Sequence, residues 1–213
     1  MKRRKKSSAV YILIILCLLV ALGLLLYDRV FATNRVPVGI WTYDREITGE
    51  VISNIQSWIA DAPEESRKNV PIEIEPLQIR IILKIANDGT YEQSVDKAFY
   101  EQTCTAAYEG FDTVLKELVR CRFKELGIDD DGQNSDEDIE ALIEQAVGMS
   151  GVEYLKKAVP ELVLPYDEYI LSYSGKGSVS VRDGYIYFAD KAPQKLLFDK
   201  DTLLIDGKIY QKE

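Results

Sequence analysis

The chain has 213 residues and an acidic balance, with 35 Asp and Glu against 26 Lys and Arg. It contains no histidine, which excludes the usual general base near neutral pH, the commonest zinc ligand and any Ser-His or Cys-His nucleophile. Residues 1–29 hold six basic residues and one acidic residue, so residues 30–213 carry 20 positive and 34 negative charges, a net charge of −14. A domain with this charge repels nucleic acid and anionic lipid headgroups, and neither is expected as a partner.

Residues 10–27 form an apolar run of eighteen residues without a charge. As a helix this run is about 27 Å long, which is close to the roughly 30 Å hydrocarbon core of a bilayer. Residues 1–9 carry five basic residues and no acidic one, so the positive-inside rule keeps this tail in the cytoplasm. The pattern predicts a single-pass protein of the cell membrane: a cytoplasmic tail at 1–9, a signal anchor at 10–27, a tether at 28–37 and an extracytoplasmic domain at 38–213.

Two other fates of the N-terminal segment compete with the uncleaved anchor. Val30-Phe31-Ala32 offers a small-residue site for signal peptidase, and Cys17 is the one cysteine within the apolar run that could carry a lipid. The run is longer than the 7–15 residues typical of a cleaved signal, and Cys17 lies in its middle behind the bulky Leu16. The length of the run therefore favours the anchor.

The first part of the outer domain is predicted to form a strand, then a helix, and then a hairpin of two strands. Alternating aromatic and β-branched residues over 38–43 predict a strand, and apolar residues at helical spacing predict a helix over 48–60. A long strand is predicted over 72–86. Asn87-Asp88-Gly89 then supplies the positive φ angles of a hairpin turn, and 90–95 returns as the partner strand.

The hydrophobic period then changes to that of helices. An apolar stripe predicts a long helix over 97–126 that ends at Gly127, and Ser135 or Asp136 can cap the helix after the acidic loop that follows. A short helix over 152–159 completes a predicted helical insertion at 97–159. The insertion separates two groups of strands in one domain.

The C-terminal part predicts an antiparallel meander. Short alternating segments follow one another, separated by turns rich in Asp and Gly. The predicted strands cover 169–173, 178–181, 185–188, 195–198, 202–205 and 208–210. The fold class expected is α+β, an antiparallel β-meander or barrel with a helical insertion packed on one side, preceded by one transmembrane helix.

Two short motifs resemble known families. Gly39-Ile40-Trp41 at the start of a β-rich domain resembles the Gly-x-Trp start of lipocalin-like (calycin-type) barrels. With Asp88-Gly89-Thr90-Tyr91 in the hairpin, the order of elements is similar to that of anchored or lipoprotein-type exported proteins of Gram-positive bacteria. The resemblance implies that Trp41 packs at the closed end of the barrel, and that a basic residue of a late strand, with Lys208 as the candidate, lies across its ring. It implies no catalytic residue, and it leaves open whether the helices plug the barrel.

Several polar groups are candidates for chemistry, each with a simpler interpretation. A twelve-residue calcium loop starting at Asp129 would use Asp131, Gln133, Glu137 and Glu140, but Asn134 stands where such loops need glycine. A solvated linker is the alternative. Glu73 and Glu75 have the spacing of a carboxylate pair on one strand face, as in glycosidases, or are ordinary solvent-facing charges. The thirteen tyrosines are candidates for a surface that binds carbohydrate or peptide, and packing in the core and the sheet is the simpler interpretation.

Taken together, these patterns favour a non-catalytic domain with no cofactor, no metal and no catalytic residue. We expect it to be held to the membrane by residues 10–27 and to bind a small apolar ligand, a lipid or an envelope protein. A structural or assembly protein that acts by protein–protein contact is the alternative, and a carboxylate-based hydrolase is a third. An apolar cavity inside the sheet would favour the ligand binder, whereas a filled interior with an exposed apolar patch would favour the assembly protein.

Overall fold

The computed structural model describes residues 14–23, 35–68, 70–128, 134–189 and 191–213. The strands are β1 (Gly39–Glu46), β2 (Gln78–Ile85), β3 (Thr90–Val95), β4 (Gly175–Arg182), β5 (Tyr185–Phe188), β6 (Gln194–Phe198), β7 (Thr202–Ile205) and β8 (Lys208–Lys212). The helices are α1 (14–23), α2 (Thr48–Trp58), α3 (Glu64–Lys68), α4 (Lys97–Glu125), α5 (Asp136–Val147), α6 (Gly151–Ala158) and α7 (Tyr166–Tyr173).

The eight strands follow one another in chain order and close into an antiparallel barrel. The hairpins fix the register of the C-terminal strands. Asp183 and Gly184 join β4 to β5 with φ angles of 54° and 77°, as a two-residue turn with two left-handed residues requires. Asp206 and Gly207 join β7 to β8 in the same way, with φ angles of 53° and 82°. The predicted α+β class, with a barrel and helices, is confirmed.

The chain divides into two compact units. The first contains the described residues up to Trp41 together with Lys84–Glu92 and Lys176–Glu213, and the second contains Thr42–Leu83 and Gln93–Gly175. In the first unit, buried side chains alternate with exposed ones along β5 and with partly buried ones along β7, as expected for strands that have one face inside a barrel.

The second unit has a helical core of its own. Ile55 of α2, Phe111 of α4, Ile139 of α5 and Leu155 of α6 are all completely buried in it. The helix ends follow the predicted signals: Ser135 forms a capping box with Asp138 at the start of α5, and Gly127 after α4 has a φ of 66°. The long helix, the capped helix and the short helix predicted in this region are confirmed.

The segment from Tyr166 to Tyr173 is the helix α7 and not the predicted strand. Pro165 precedes its first turn, where Asp167 and Glu168 interact favourably with the positive end of the helix dipole. Tyr166, Tyr169 and Tyr173 recur at spacings of three and four, so the aromatic side chains follow the helical period. The helical part of the chain therefore continues to Tyr173, beyond the predicted insertion at 97–159.

The predicted strand at 72–86 is wrong in its first half. Strand β2 begins at Gln78, and residues 71–77 lie outside any helix or strand. Side-chain exposure alternates over residues 71–75, as expected for extended chain. Pro71 and Pro76 enclose this segment, and proline cannot donate the backbone hydrogen bond that a sheet requires.

Of the predicted anchor at 10–27, the structure describes residues 14–23, which are helical; the remaining residues, like the tail and most of the tether, lie outside the described part. Among the helices that the structure describes, none has the length and apolar character needed to cross a membrane.

Candidate functional site

Trp41 is a buried residue near the start of β1. The indole is 2 % exposed, and its Nε1 donates a hydrogen bond of 2.8 Å to the carbonyl of Pro37. Gly39 precedes it with a φ of 148°, where a Cβ would lie 3.3 Å from Cε of Lys212 and 3.5 Å from the indole nitrogen. The Gly-x-Trp pair therefore works as a structural unit, since the glycine leaves the space that the tryptophan and lysine occupy.

The cation on the Trp41 ring is Lys212, whose Nζ lies 5.6 Å from the ring centroid. The predicted candidate, Lys208, lies four residues earlier on the same strand, about 13 Å along it. Lys208 stays a prediction, and the structure adds Lys212, the last residue of the same strand, as a cation on this ring.

The interior of the barrel is covered by large apolar side chains. Within the first unit, Ile186 and Leu203 are 0 % exposed, and the rings of Tyr91 and Phe188 lie 4.5 Å apart, edge to face. A void large enough for a water molecule beside Ile186 or Leu203 would leave part of their surface accessible. The space next to these side chains is therefore filled, as an eight-stranded barrel allows.

The outer face of the last strands carries an apolar row. Leu197 lies opposite Leu204, and Leu204 lies opposite Ile209, so the three side chains stand side by side across β6, β7 and β8. Leu197 is 57 % exposed and Ile209 is 54 % exposed. Tyr185 and Tyr187 are also exposed on the neighbouring strand β5. A row of this kind is typical of a surface that contacts another molecule.

A cleft of about 660 Å³ lies in the second unit, beside the extended segment 71–77. Ile74 packs directly on the backbone of α4, where a Cβ on Gly110 would come within 2.9 Å of its Cγ2. Ile52 of α2 and Ala106 of α4 line the apolar part of the cleft, and Glu73, Glu75 and Glu109 supply its carboxylates. Sequence analysis missed this groove, although Pro71 and Pro76 mark the segment that forms its wall.

A buried ion cluster connects three helices of the second unit. Nζ of Lys116 lies 2.6 Å from Oδ2 of Asp112 and 2.7 Å from Oε2 of Glu140, whose other oxygen accepts a 2.9 Å hydrogen bond from the amide of Gly151. Burial raises the pKa of the Asp112 carboxyl, although Lys116 acts in the opposite direction. The hydrogen bond from Lys116 lowers the pKa of Glu140. Such a network holds α4, α5 and α6 in place.

Of the five candidate ligands of the hypothetical calcium loop, Glu137 and Glu140 lie in the described part of the chain. Asp129, Asp131 and Gln133 lie outside the described residues, and Glu140 faces Lys116. Asp136 forms an ion pair with Arg120. Among the residues that the structure describes, no group of three or more acidic or cysteine side chains could hold a metal ion.

The tyrosines of α7 use their hydroxyl groups in packing. The hydroxyl of Tyr166 donates to the carbonyl of Val95 at 3.0 Å, Tyr173 accepts a 2.9 Å hydrogen bond from Arg45, and Tyr169 is 2 % exposed. Burial raises the pKa of Tyr169 to about 12. These rings therefore belong to the core of the helical unit.

The predicted carboxylate pair, Glu73 and Glu75, lies at the exposed edge of the groove.

The chain matches no protein-family model, and comparisons with curated proteins and with solved structures found no significant match.

Proposed function

We propose that this protein is a non-catalytic, membrane-anchored module that binds an envelope protein through the outer surface of its domain, on the extracytoplasmic side. The sidedness rests on the uncharged run at 10–27 and the five basic residues before it. The acidic charge of the outer domain supports a protein partner over nucleic acid.

The observation that carries the proposal is an exposed apolar row on strands whose inward side chains are completely buried. Because Ile186 and Leu203 have no exposed surface, a ligand has no preformed space beside these two side chains. The row formed by Leu197, Leu204 and Ile209 supplies an exposed apolar surface there. A filled interior with an exposed apolar patch is the combination expected of a protein that acts by contact.

A small apolar ligand is the second candidate, because the closed eight-stranded barrel is compatible with a lipocalin-like ligand-binding domain. Such a ligand would have to displace interior side chains such as Phe188. Native mass spectrometry of the full-length protein separates the two candidates. The contact protein is expected to appear at the mass of the chain alone, and a stoichiometric co-purified lipid would favour the ligand binder.

The proposal is tested in wall-free cells that express the protein with one tag at Met1 and another at Glu213. A protease added outside is expected to remove the C-terminal tag and leave the N-terminal tag intact.

The partner is tested by photo-cross-linking in the same cells. A photo-cross-linking residue at Leu197 or Ile209 is expected to capture one discrete protein, whereas the same residue at the exposed Glu92 of β3 is not. Digestion of the N-terminal tag alone, or identical capture at all three positions, would overturn the proposal.

A further inference from the structure

The extended segment 71–77 resembles a strand that lacks a partner. Among the residues that the structure describes, none makes a hydrogen bond to the backbone amides or carbonyls of Ile72, Glu73, Ile74 or Glu75. Unpaired backbone groups along an extended chain are a ready template for another strand. The adjoining segment differs, because the amide of Leu77 is hydrogen-bonded to Oγ1 of Thr48 at 2.9 Å.

The groove beside this segment has room for a peptide. A second cleft of about 410 Å³ adjoins the cleft of about 660 Å³, and Ala106 and Glu109 line both. Together they follow α4 from Ala98 to Thr113, a length of roughly 22 Å, which corresponds to about seven extended residues.

The negative charge of the groove favours a basic peptide. Glu73, Glu75, Glu101 and Glu109 line the two clefts, and no Lys or Arg is among the described residues that line them. Lys97 approaches Glu101 at 3.8 Å from outside the groove. Three of these carboxylates therefore have no ion pair in the described part of the chain.

We infer that this groove binds an extended, basic segment of another protein, which adds a strand to Ile72–Glu75. The alternation of Ile and Glu along the segment determines which type of residue we expect at each position of the partner. Ile72 and Ile74 pack against the helical core, so partner residues on that face are apolar and contact Ile52 and Ala106. Partner residues on the opposite face are Lys or Arg and lie across from Glu73 and Glu75. The inference goes beyond the proposed function, because it requires neither the anchor nor the barrel row.

The probe is a fluorescein-labelled peptide, Lys-Val-Lys-Val-Lys-Val-Lys amide, titrated against the full-length protein in detergent micelles and followed by fluorescence anisotropy. It is expected to bind, and a Glu-Val peptide of the same length is not. Methylation of alternate backbone nitrogens is expected to abolish binding, since it removes the amide donors while it keeps the charge. Equal binding of the methylated peptide would overturn the inference in favour of simple charge attraction.

The site is located by a matched pair of double variants. Glu73→Lys with Glu75→Lys is expected to weaken binding roughly tenfold, because two opposite-charge pairs become like-charge pairs. Glu92→Lys with Glu144→Lys changes the net charge equally at exposed positions outside the groove, and a change below roughly threefold is expected. Equal weakening by both pairs would contradict the assignment.

Hydrogen exchange supplies a readout that does not depend on the variants. Alternate amides of the segment, either those of Glu73 and Glu75 or those of Ile72 and Ile74, are expected to exchange rapidly in the free protein and to become protected when the peptide is bound, because successive amides of a strand point to opposite sides. No protection at these amides would overturn the inference. Protection that instead rises with protein concentration in the absence of peptide would assign the groove to a second copy of this chain. Neither result depends on which side of the membrane the domain occupies, so failure here is separable from failure of the proposed function.

Discussion

Gly151 at the start of α6 lies directly against the carboxylate of Asp112, because a Cβ at position 151 would collide with Oδ1 of that residue. The same glycine donates its amide to Glu140. The first residue of α6 therefore has to lack a side chain for the helix to approach the buried ion cluster.

Gly151→Ala is accordingly expected to destabilise the protein, although alanine is the better helix former. Overpacking costs about 1–3 kcal/mol, which exceeds the gain of at most about 1 kcal/mol in helix propensity. Urea unfolding followed by circular dichroism measures the difference. Gly49→Ala in α2 is the matched control, since a Cβ there meets nothing within 4 Å, and it is expected to stabilise. A stabilising effect of both variants would contradict the collision with Asp112.

Lys116→Met tests the ion cluster itself. The substitution leaves the carboxylates of Asp112 and Glu140 together without a cation, and their side chains are only 10 % and 24 % exposed. Breaking a buried ion pair in this way is expected to cost about 3 kcal/mol at pH 7. Part of the loss should be recovered on acidification, because both carboxyls bind protons more readily without Lys116.

The control for this variant is Lys68→Met. The ion pair of Lys68 with Glu64 has side chains that are 70 % and 64 % exposed. Exposed pairs contribute less than about 1 kcal/mol. A comparable loss of unfolding free energy in the two variants would show that the Lys116 cluster adds no more than a surface pair.

The local signals in the sequence predicted most elements correctly because they act over a few residues. Asp-Gly at 183–184 forces the left-handed turn of a hairpin, and Ser135 with Asp138 closes a capping box whatever surrounds them. The same holds for Gly39 and Trp41, which lie two residues apart and contact each other. These features needed no knowledge of distant contacts.

The errors have a different origin. Residues 169–173 carry aromatic and β-branched side chains that suit a strand, and the deciding features are Pro165 and the acidic first turn of α7. In residues 71–77 the alternation of Ile and Glu is that of a strand, but Pro76 lies directly before Leu77 and β2 and has no amide to continue the barrel's hydrogen bonds into this segment. The groove could not be predicted, since Ile52, Ile74 and Ala106 come together only after α2 and α4 have packed.

The cation of Trp41 can be identified by comparing Lys212→Met with Lys208→Met. Because Nζ of Lys212 lies 5.6 Å from the ring centroid, its loss is expected to lower the free energy of unfolding by about 0.5–1 kcal/mol. Lys208→Met is expected to change it by less, and urea unfolding of the two variants gives both values. The opposite order would restore Lys208 to the position implied by the lipocalin-like resemblance.

Glu140→Gln is expected to make the free energy of unfolding fall less steeply as the pH is lowered into the acidic range. The pKa of Glu140 is lowered in the folded protein by the hydrogen bond from Lys116, so its contribution is present above the ordinary glutamate pKa and is lost as pH falls through the folded value. The variant should therefore be less stable than the wild type by about 1–2 kcal/mol at pH 7, and the gap should close below about pH 4.

Urea midpoints measured from pH 3 to 8 provide the data for this variant, with Glu92→Gln as an exposed control. A gap that persists unchanged at acidic pH would mean that the substitution removes packing or the hydrogen bond from the amide of Gly151 rather than a charge. A gap of the same size in the control would mean that the buried position of Glu140 between Lys116 and Gly151 contributes nothing of its own.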